Sequence, residues 1–226
     1  MREKKIGIVG WKLGGNSFGV TLPYLQLFSQ FGNVEILMPS TIEAMNLNLD
    51  LVVIPGGPDI IPTRYNNVPD FSTGYACPIR EHFDKYLLPV YLAKKIPMFG
   101  ICRGLQTLVV HFGGSLLQNY PHEFSPEDQR GKSAHKVIIE FLNKEIRGQQ
   151  TCSVNSLHHQ VTNPETFPKE LIVVARHEKD KSIEAIVSRN LEEIPVAAVQ
   201  WHPEELGDLD PISTYLINKL LTNDFK

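Results

Sequence analysis

Two short stretches carry residue types that can do nucleophilic chemistry. The first is Gly100-Ile101-Cys102-Arg103-Gly104, one cysteine with a glycine two positions away on either side. An apolar run, 98–101, precedes it, and Leu105, Leu108, Val109 and Phe112 follow it at helical spacing. This is the pattern of a nucleophile elbow, with cysteine in the place of serine. The turn from strand to helix is sharp, and a Cβ at either glycine would collide with the neighbouring chain. The nucleophile then sits at a helix N-terminus, where unpaired N–H groups and the helix dipole favour a thiolate. On the motif alone, a small buried apolar residue describes Cys102 equally well.

A thiol nucleophile needs a base, and that base needs an orienting partner. The second stretch, Val199-Gln200-Trp201-His202-Pro203-Glu204-Glu205, supplies both. A strand delivers His202 at its end, and Pro203 breaks it there. Glu204 is close enough to bond the far imidazole nitrogen, fixing the tautomer and stabilising the imidazolium. In isolation the same residues would suit a surface histidine beside solvated glutamates. Other candidates carry less. His122 with His135, or His158 with His159, lacks the spacing of a zinc site, so no metal or other cofactor is expected. Cys77 and Cys152 have no base nearby in sequence, and His111 reads as structural. Gly14-Gly15-Asn16 lacks the Lys-Ser/Thr of a phosphate-binding loop.

The elements that must position these groups follow from periodicity. Residues 5–11, 34–38 and 50–55 read as strands, the third running into Gly56-Gly57-Pro58-Asp59. Residues 18–31 and 79–95 read as helices, with Pro23 in the first turn of its helix. Gly113-Gly114 ends the helix after Cys102. Strands separated by helices predict a parallel sheet covered on both faces. In such sheets the working residues gather beyond the carboxyl ends of the strands, where both Gly56-Gly57 and Cys102 fall. Residues 60–78 form a long loop rich in Pro, Asn and Gly. The tract 122–133 is polar and loop-like. Segments 136–141, 171–176, 182–188 and 196–200 read as strands, and 211–221 as a closing helix. No linker interrupts the chain, so one domain over 1–226 is expected.

Composition bounds the function. At 226 residues the chain can bury a core that needs no staples. A net charge of −3, with no basic cluster interleaved with aromatics, offers no case for nucleic acid. Three cysteines far apart do not suggest a disulfide framework, and a reducing, cytoplasmic compartment fits better. The charged start, Met1-Arg2-Glu3-Lys4-Lys5, leads directly into a strand-like run, so neither a signal peptide nor a membrane span is expected.

Taken together, 100–106 and 199–204 resemble the two signatures of class I glutamine amidotransferase-like proteins. Within that superfamily the chain is most similar to the γ-glutamyl-γ-aminobutyrate hydrolases of peptidase family C26. The specific points are Pro55-Gly56-Gly57-Pro58-Asp59-Ile60 with Pro62 and Tyr65, Cys102-Arg103-Gly104-Leu105-Gln106, and Gly113-Gly114-Ser115-Leu116. Val154-Asn155-Ser156-Leu157-His158, Ile183-Glu184-Ala185 and the His-Pro-Glu end follow in the family's order. The resemblance implies an α/β fold, a flavodoxin-like three-layer sandwich with a mostly parallel central sheet and a cysteine nucleophile elbow. It implies Cys102 as nucleophile, His202 as general base and acid, and Glu204 as its orienting carboxylate. Gly57 and Arg103 resemble the backbone N–H donors of the oxyanion hole. Gln106 would face the glutamyl group, an exposed helix glutamine being the alternative. Asn155, Ser156, Leu157 and His158 look like the loop that holds the α-amino and α-carboxylate ends of the substrate.

Two positions depart from the family. It usually has Asp-Gly just upstream of Ile183, where this chain has Lys179-Asp180-Lys181-Ser182, so the turn must differ. His159 stands where a small residue is also common. Leaving-group recognition falls to the 62–78 loop, with Arg64 and Tyr65, and to the 122–133 tract.

The leading expectation is a free-standing hydrolase that cleaves a small γ-glutamyl amide through a thioester. The alternative is a glutaminase subunit that passes ammonia to a separately encoded synthetase. A silent binding homologue is the third reading, and the intact Cys-His-Glu set argues against it. The oligomeric state stays open, a homodimer included. Iodoacetamide should modify Cys102 ahead of Cys77 and Cys152, because only Cys102 sits at a helix N-terminus beside a base. Peptide mapping after brief labelling checks this, and faster labelling of either other cysteine contradicts it.

Overall fold

The computed structural model describes residues 3–38, 45–120, 135–140, 151–207 and 209–222. The chain begins with β1 (Lys5–Val9), a small hairpin of β2 (Trp11–Gly14) and β3 (Ser17–Gly19), α1 (Leu22–Phe28), β4 (Asn33–Leu37) and β5 (Leu51–Ile54). A helical stretch follows: α2 (Pro78–His82), a π-turn over Phe83–Leu87, and α3 (Leu88–Ala93). Next come β6 (Met98–Ile101), α4 (Arg103–His111), β7 (Leu116–Leu117), β8 (His135–Ile139), β9 (Thr151–Val154) and β10 (Val161–Thr162). The last elements are β11 (Leu171–His177), β12 (Ile183–Ser188), β13 (Val196–Val199) and α5 (Pro211–Thr222).

One sheet runs in the order β4-β1-β5-β6-β13-β12-β11-β8-β9. The pairs from β4 to β13 are parallel, and those from β13 to β9 are antiparallel. Only β12 and β8 therefore run against the others, and the sheet is the mostly parallel one expected. Strands β5, β6 and β13 are apolar and buried along their whole length, as central strands covered on both faces must be. One layer of side chains packs Ile8, Val53, Phe99 and Val199 against Phe28 of α1 and Ile212, Leu216 and Leu220 of α5. The opposite layer packs Val52, Ile54, Met98 and Ala198 against Leu88 of α3 and Leu105 and Leu108 of α4.

Three expectations need correction. Residues 18–31 are not one helix: Gly15 and Asn16 make the turn of the β2–β3 hairpin, and the helix starts only at Leu22, with Pro23 in its first turn. Gly15 takes φ 52°, which a tight turn allows a glycine without penalty. The 79–95 helix contains a π-turn just ahead of Pro89, whose missing N–H removes the bond that would close a regular turn there. The 60–78 loop contains a short 3₁₀ turn, Pro62–Tyr65. The tract 122–133, including His122, lies outside the described residues. No helix among the described residues is long and apolar enough to cross a membrane.

The two elbow glycines meet the close approach the motif predicts. A Cβ on Gly100 would lie 2.7 Å from the carbonyl carbon of Gly104, and one on Gly104 would land on the carbonyl oxygen of Ile54. Helix α4 thus rests directly on the backbone of β5. Gly104→Ala is expected to cost about 3 kcal/mol or more in urea unfolding, the upper end for overpacking, since rigid backbone must give way. A loss below about 0.5 kcal/mol would show that α4 can lift off β5.

Candidate active site

Three neighbouring strands end at one place. β5 leads through Pro55 to Gly56-Gly57, β6 ends at Cys102, and β13 leads through Gln200 and Trp201 to His202. Cys102 has φ 52° and ψ −105°, a sparsely populated conformation for a side-chain-bearing residue. Its N–H donates to the Val199 carbonyl at 2.8 Å, and its own carbonyl accepts from the Leu105 N–H at 3.0 Å. The backbone is therefore held from both β13 and α4. Arg103 opens α4, so its N–H has no partner within the helix. Gly57 takes φ 147°, a value that favours glycine.

The His202 ring is oriented by Glu204: Nδ1 donates to Oε1 at 2.6 Å. That carboxylate side chain is only 1% exposed, whereas the imidazole is 13% exposed and open to a reacting molecule. Burial alone would lower the pKa of His202. The Cys102 sulfur and then Glu204 outweigh it and hold the imidazole well above its ordinary value. With Nδ1 committed to Glu204, Nε2 is the ring nitrogen left to give or take a proton. The segment after His202 is a 3₁₀ turn, Pro203–Glu205, rather than an extended one, and Glu205 is exposed.

The main chain of His202 is clamped as well. Asn155 accepts the His202 N–H at 2.8 Å and donates to its carbonyl at 2.8 Å. The amide of Asn155 is thus spent on positioning His202. Trp201, fully buried, donates to Asp210 at 3.0 Å, and Asp210 also caps the start of α5 through the Ser213 N–H. Ser156 is buried, and Leu157 is 43% exposed. His158 bonds the Gln160 carbonyl at 3.0 Å and faces the buried Glu184. Gln106 is buried, and its amide reaches the Gln160 carbonyl at 3.1 Å and Gln200 at 3.4 Å. It is therefore not the exposed helix glutamine of the alternative. His159 pairs with Asp59 at 3.1 Å, and Asp59 also accepts the Gly74 N–H at 2.7 Å. That carboxylate ties the 155–160 segment to the long 60–78 loop.

Beneath Gly57 lie two buried guanidinium groups: that of Arg103, which the sequence pointed to only for its backbone N–H, and that of Arg80, which it did not point to at all. Arg80 donates to the carbonyls of Pro55 and Gly56, both at 2.9 Å. Arg103 donates through Nε to the Pro58 carbonyl at 2.7 Å and pairs with Asp84 at 2.8 Å and Glu81 at 3.0 Å. Burial, then repulsion from Arg103, lowers the pKa of Arg80 to about 9. The i,i+4 spacing of Arg80 and Asp84 was the local signal available. Tyr24, whose hydroxyl accepts the Gly56 N–H at 2.9 Å, had none. The Lys179–Ser182 turn puts Lys181 at φ 63°, the left-handed position glycine would fill, and Asp180 accepts the Ser182 N–H at 2.9 Å.

This sheet order, with an elbow after the central strand, is the fold of the glutamine amidotransferases. A glutamine amidotransferase from Thermotoga maritima superposes with a TM-score of 0.61 at 17% identity, over 100% of this chain and 87% of that one. The peptidase C26 family model matches residues 12–204, and the chain belongs to that family of hydrolases. A γ-glutamyl-γ-aminobutyrate hydrolase of Escherichia coli O157:H7 is 32% identical over 223 residues, covering 89% of this chain and 83% of its own length. The glutamine amidotransferase-like protein YvdE of Lactococcus lactis is 32% identical over 192 residues, or 80% of this chain and 78% of its own.

If His202 serves as a base oriented by Glu204, substitutions at the two residues should differ in effect. His202→Ala should lower turnover by about 10²–10⁴-fold, the usual worth of a general base. Glu204→Gln should lower it less, spare substrate binding, and move the His202 titration downward in NMR. Equal losses in both variants, with binding also lost, would make Glu204 a substrate ligand instead.

Proposed function

We propose that the protein is a cysteine hydrolase that cleaves the γ-glutamyl amide bond of a small γ-glutamyl compound. The observation that carries this reading is the meeting of Gly57, Cys102 and the His202–Glu204 pair at the ends of β5, β6 and β13. Cys102 passes its thiol proton to His202 Nε2 and attacks the γ-carbonyl carbon, a C–S bond forms, and the oxyanion is held by the N–H groups of Gly57 and Arg103. The C–N bond then breaks as His202 Nε2 passes its proton to the leaving amine. His202 next takes a proton from water, which attacks the thioester; the C–S bond breaks, releasing glutamate and the thiol.

Arg80 and Arg103 support the oxyanion assignment indirectly. The peptide after Gly56 is trans, so the Gly57 N–H points opposite the Gly56 carbonyl that Arg80 holds, away from the protein interior. In this reading Ser156, Leu157 and His158 line the loop that holds the glutamyl group, with Gln106 behind them, while Asn155 acts on the base through the His202 main chain rather than on the substrate. The substrate class is suggested by the E. coli relative's name, and the amine side falls to the 62–78 loop with Arg64 and Tyr65. Relatives named as amidotransferases favour the second reading, a glutaminase feeding a separate synthetase.

The pure protein, incubated with a panel of γ-glutamyl amines and glutamine, is expected to release glutamate from at least one amine faster than from glutamine. Cys102→Ala should fall to background while remaining folded. A protein inert on the panel that releases ammonia from glutamine once a synthetase is added would transfer the assignment to the second reading.

A further inference from the structure

Tyr24 belongs to none of the motifs above, yet its hydroxyl lies between the two halves of the site. The residue is 3% exposed, and its ring stands edge-on to Trp11 with centroids 5.9 Å apart. A phenol has one proton to give and lone pairs to accept with. The Tyr24 oxygen accepts the Gly56 N–H at 2.9 Å and lies 3.5 Å from His202 Nδ1. That nitrogen gives its proton to Glu204 at 2.6 Å. Of the Gly56 N–H, the His202 Nδ1–H and the Glu204 carboxylate, the carboxylate alone can accept the phenol's proton. Burial, followed by the charge on Glu204, holds Tyr24 well above its ordinary pKa, so the phenol keeps that proton.

Gly56 is thereby gripped at both polar ends, its N–H by Tyr24 and its carbonyl by Arg80. The fit is close enough that a Cβ on Gly56 would lie 2.7 Å from Cε1 of His202 and 2.9 Å from the Tyr24 oxygen. We propose that Tyr24 is a positioning residue that fixes the register between the Gly56-Gly57 loop and the His202–Glu204 pair. The proposal rests on the roles assigned above to Gly57 and His202. One hydroxyl then sets where the oxyanion donor and the base stand relative to each other. Without it, the Gly56 N–H is orphaned and the imidazole loses one of its fixed neighbours. Misplacement of about 1 Å at groups of this kind costs roughly 10²-fold in rate.

Tyr24→Phe removes the hydroxyl and keeps the ring. The first readout is alkylation of Cys102 by iodoacetamide across pH, followed by mass spectrometry, which needs no substrate. A loosened imidazole supports the thiolate less well. The half-maximal rate is therefore expected at a pH higher by about half a unit or more, in keeping with a modest loss of pairing. The second readout is turnover on the best γ-glutamyl amide: kcat lower by about 10–100-fold, KM within about threefold, and thermal unfolding unchanged. A parental alkylation profile with parental kcat overturns the proposal. So does a fall in kcat that merely tracks a loss of folded protein. If Tyr24→Phe does not fold, 3-fluorotyrosine placed at position 24 keeps the ring and both contacts while making the phenol a stronger donor. The alkylation profile must then shift from the parent's, and an unshifted profile overturns the proposal. A parent protein inert on every γ-glutamyl amide, with a profile that still shifts in the variant, rejects the substrate class and leaves the role of Tyr24 standing.

Discussion

The site is built around the Cys102 peptide. Its backbone sits at φ 52°, ψ −105°, at a cost of about 1–3 kcal/mol for a residue with a side chain. The hydrogen bond to Val199 and the start of α4 hold it there, and the Gly104–Ile54 contact keeps α4 from backing away. That contact also fixes the spacing between β5 and the elbow. The same seating therefore sets how far Gly57 stands from the sulfur. A strained turn can persist only where its surroundings over-determine it, and here strands on both sides of β6 do so.

Around this turn the protein places buried charge where a simple α/β core would place Leu or Val. Arg103 and Asp84 are each about 1% exposed, and Arg80 is fully buried. Buried ion pairs are weak contributors to net stability, because desolvation offsets most of their attraction. Their value here is geometric: the guanidinium groups hold the carbonyls of Pro55, Gly56 and Pro58, and with them the Gly56-Gly57 loop. The antiparallel half repeats the device. Burial would raise the pKa of Glu184, but a hydrogen bond from His135 and the charges of His158, His135 and His177 lower it instead. The Glu184 carbonyl accepts the Gln200 N–H at 2.7 Å, which steadies the chain just ahead of His202.

Much of this was legible in the sequence, for reasons that differ by residue. Cys102 was visible because the elbow needs glycine at two fixed offsets, a demand of the backbone that leaves a local trace. His202 and Glu204 were visible because they are two residues apart. The central strands showed as unbroken apolar runs. Tyr24 was not legible, because it meets His202 across 178 positions and nothing near it in sequence marks the contact. Asn155 was visible as part of a loop, but its grip on the His202 main chain depends on tertiary structure alone. The β2–β3 hairpin was missed because Phe18 and Val20 fall in register with the apolar spacing of the helix that follows. At Lys181 the left-handed turn survives without its glycine, a case where surrounding hydrogen bonds override local preference.

The central claim is that bond cleavage passes through Cys102 with the acyl group covalently attached. Rapid mixing with the best γ-glutamyl substrate, acid quenching within the first turnover and intact-mass analysis test it most directly. The account predicts a transient mass gain of one γ-glutamyl group, mapped by peptide analysis to Cys102 and absent in Cys102→Ala. Full turnover with no acyl-enzyme at any quench time, or an adduct mapped to another residue, would contradict it.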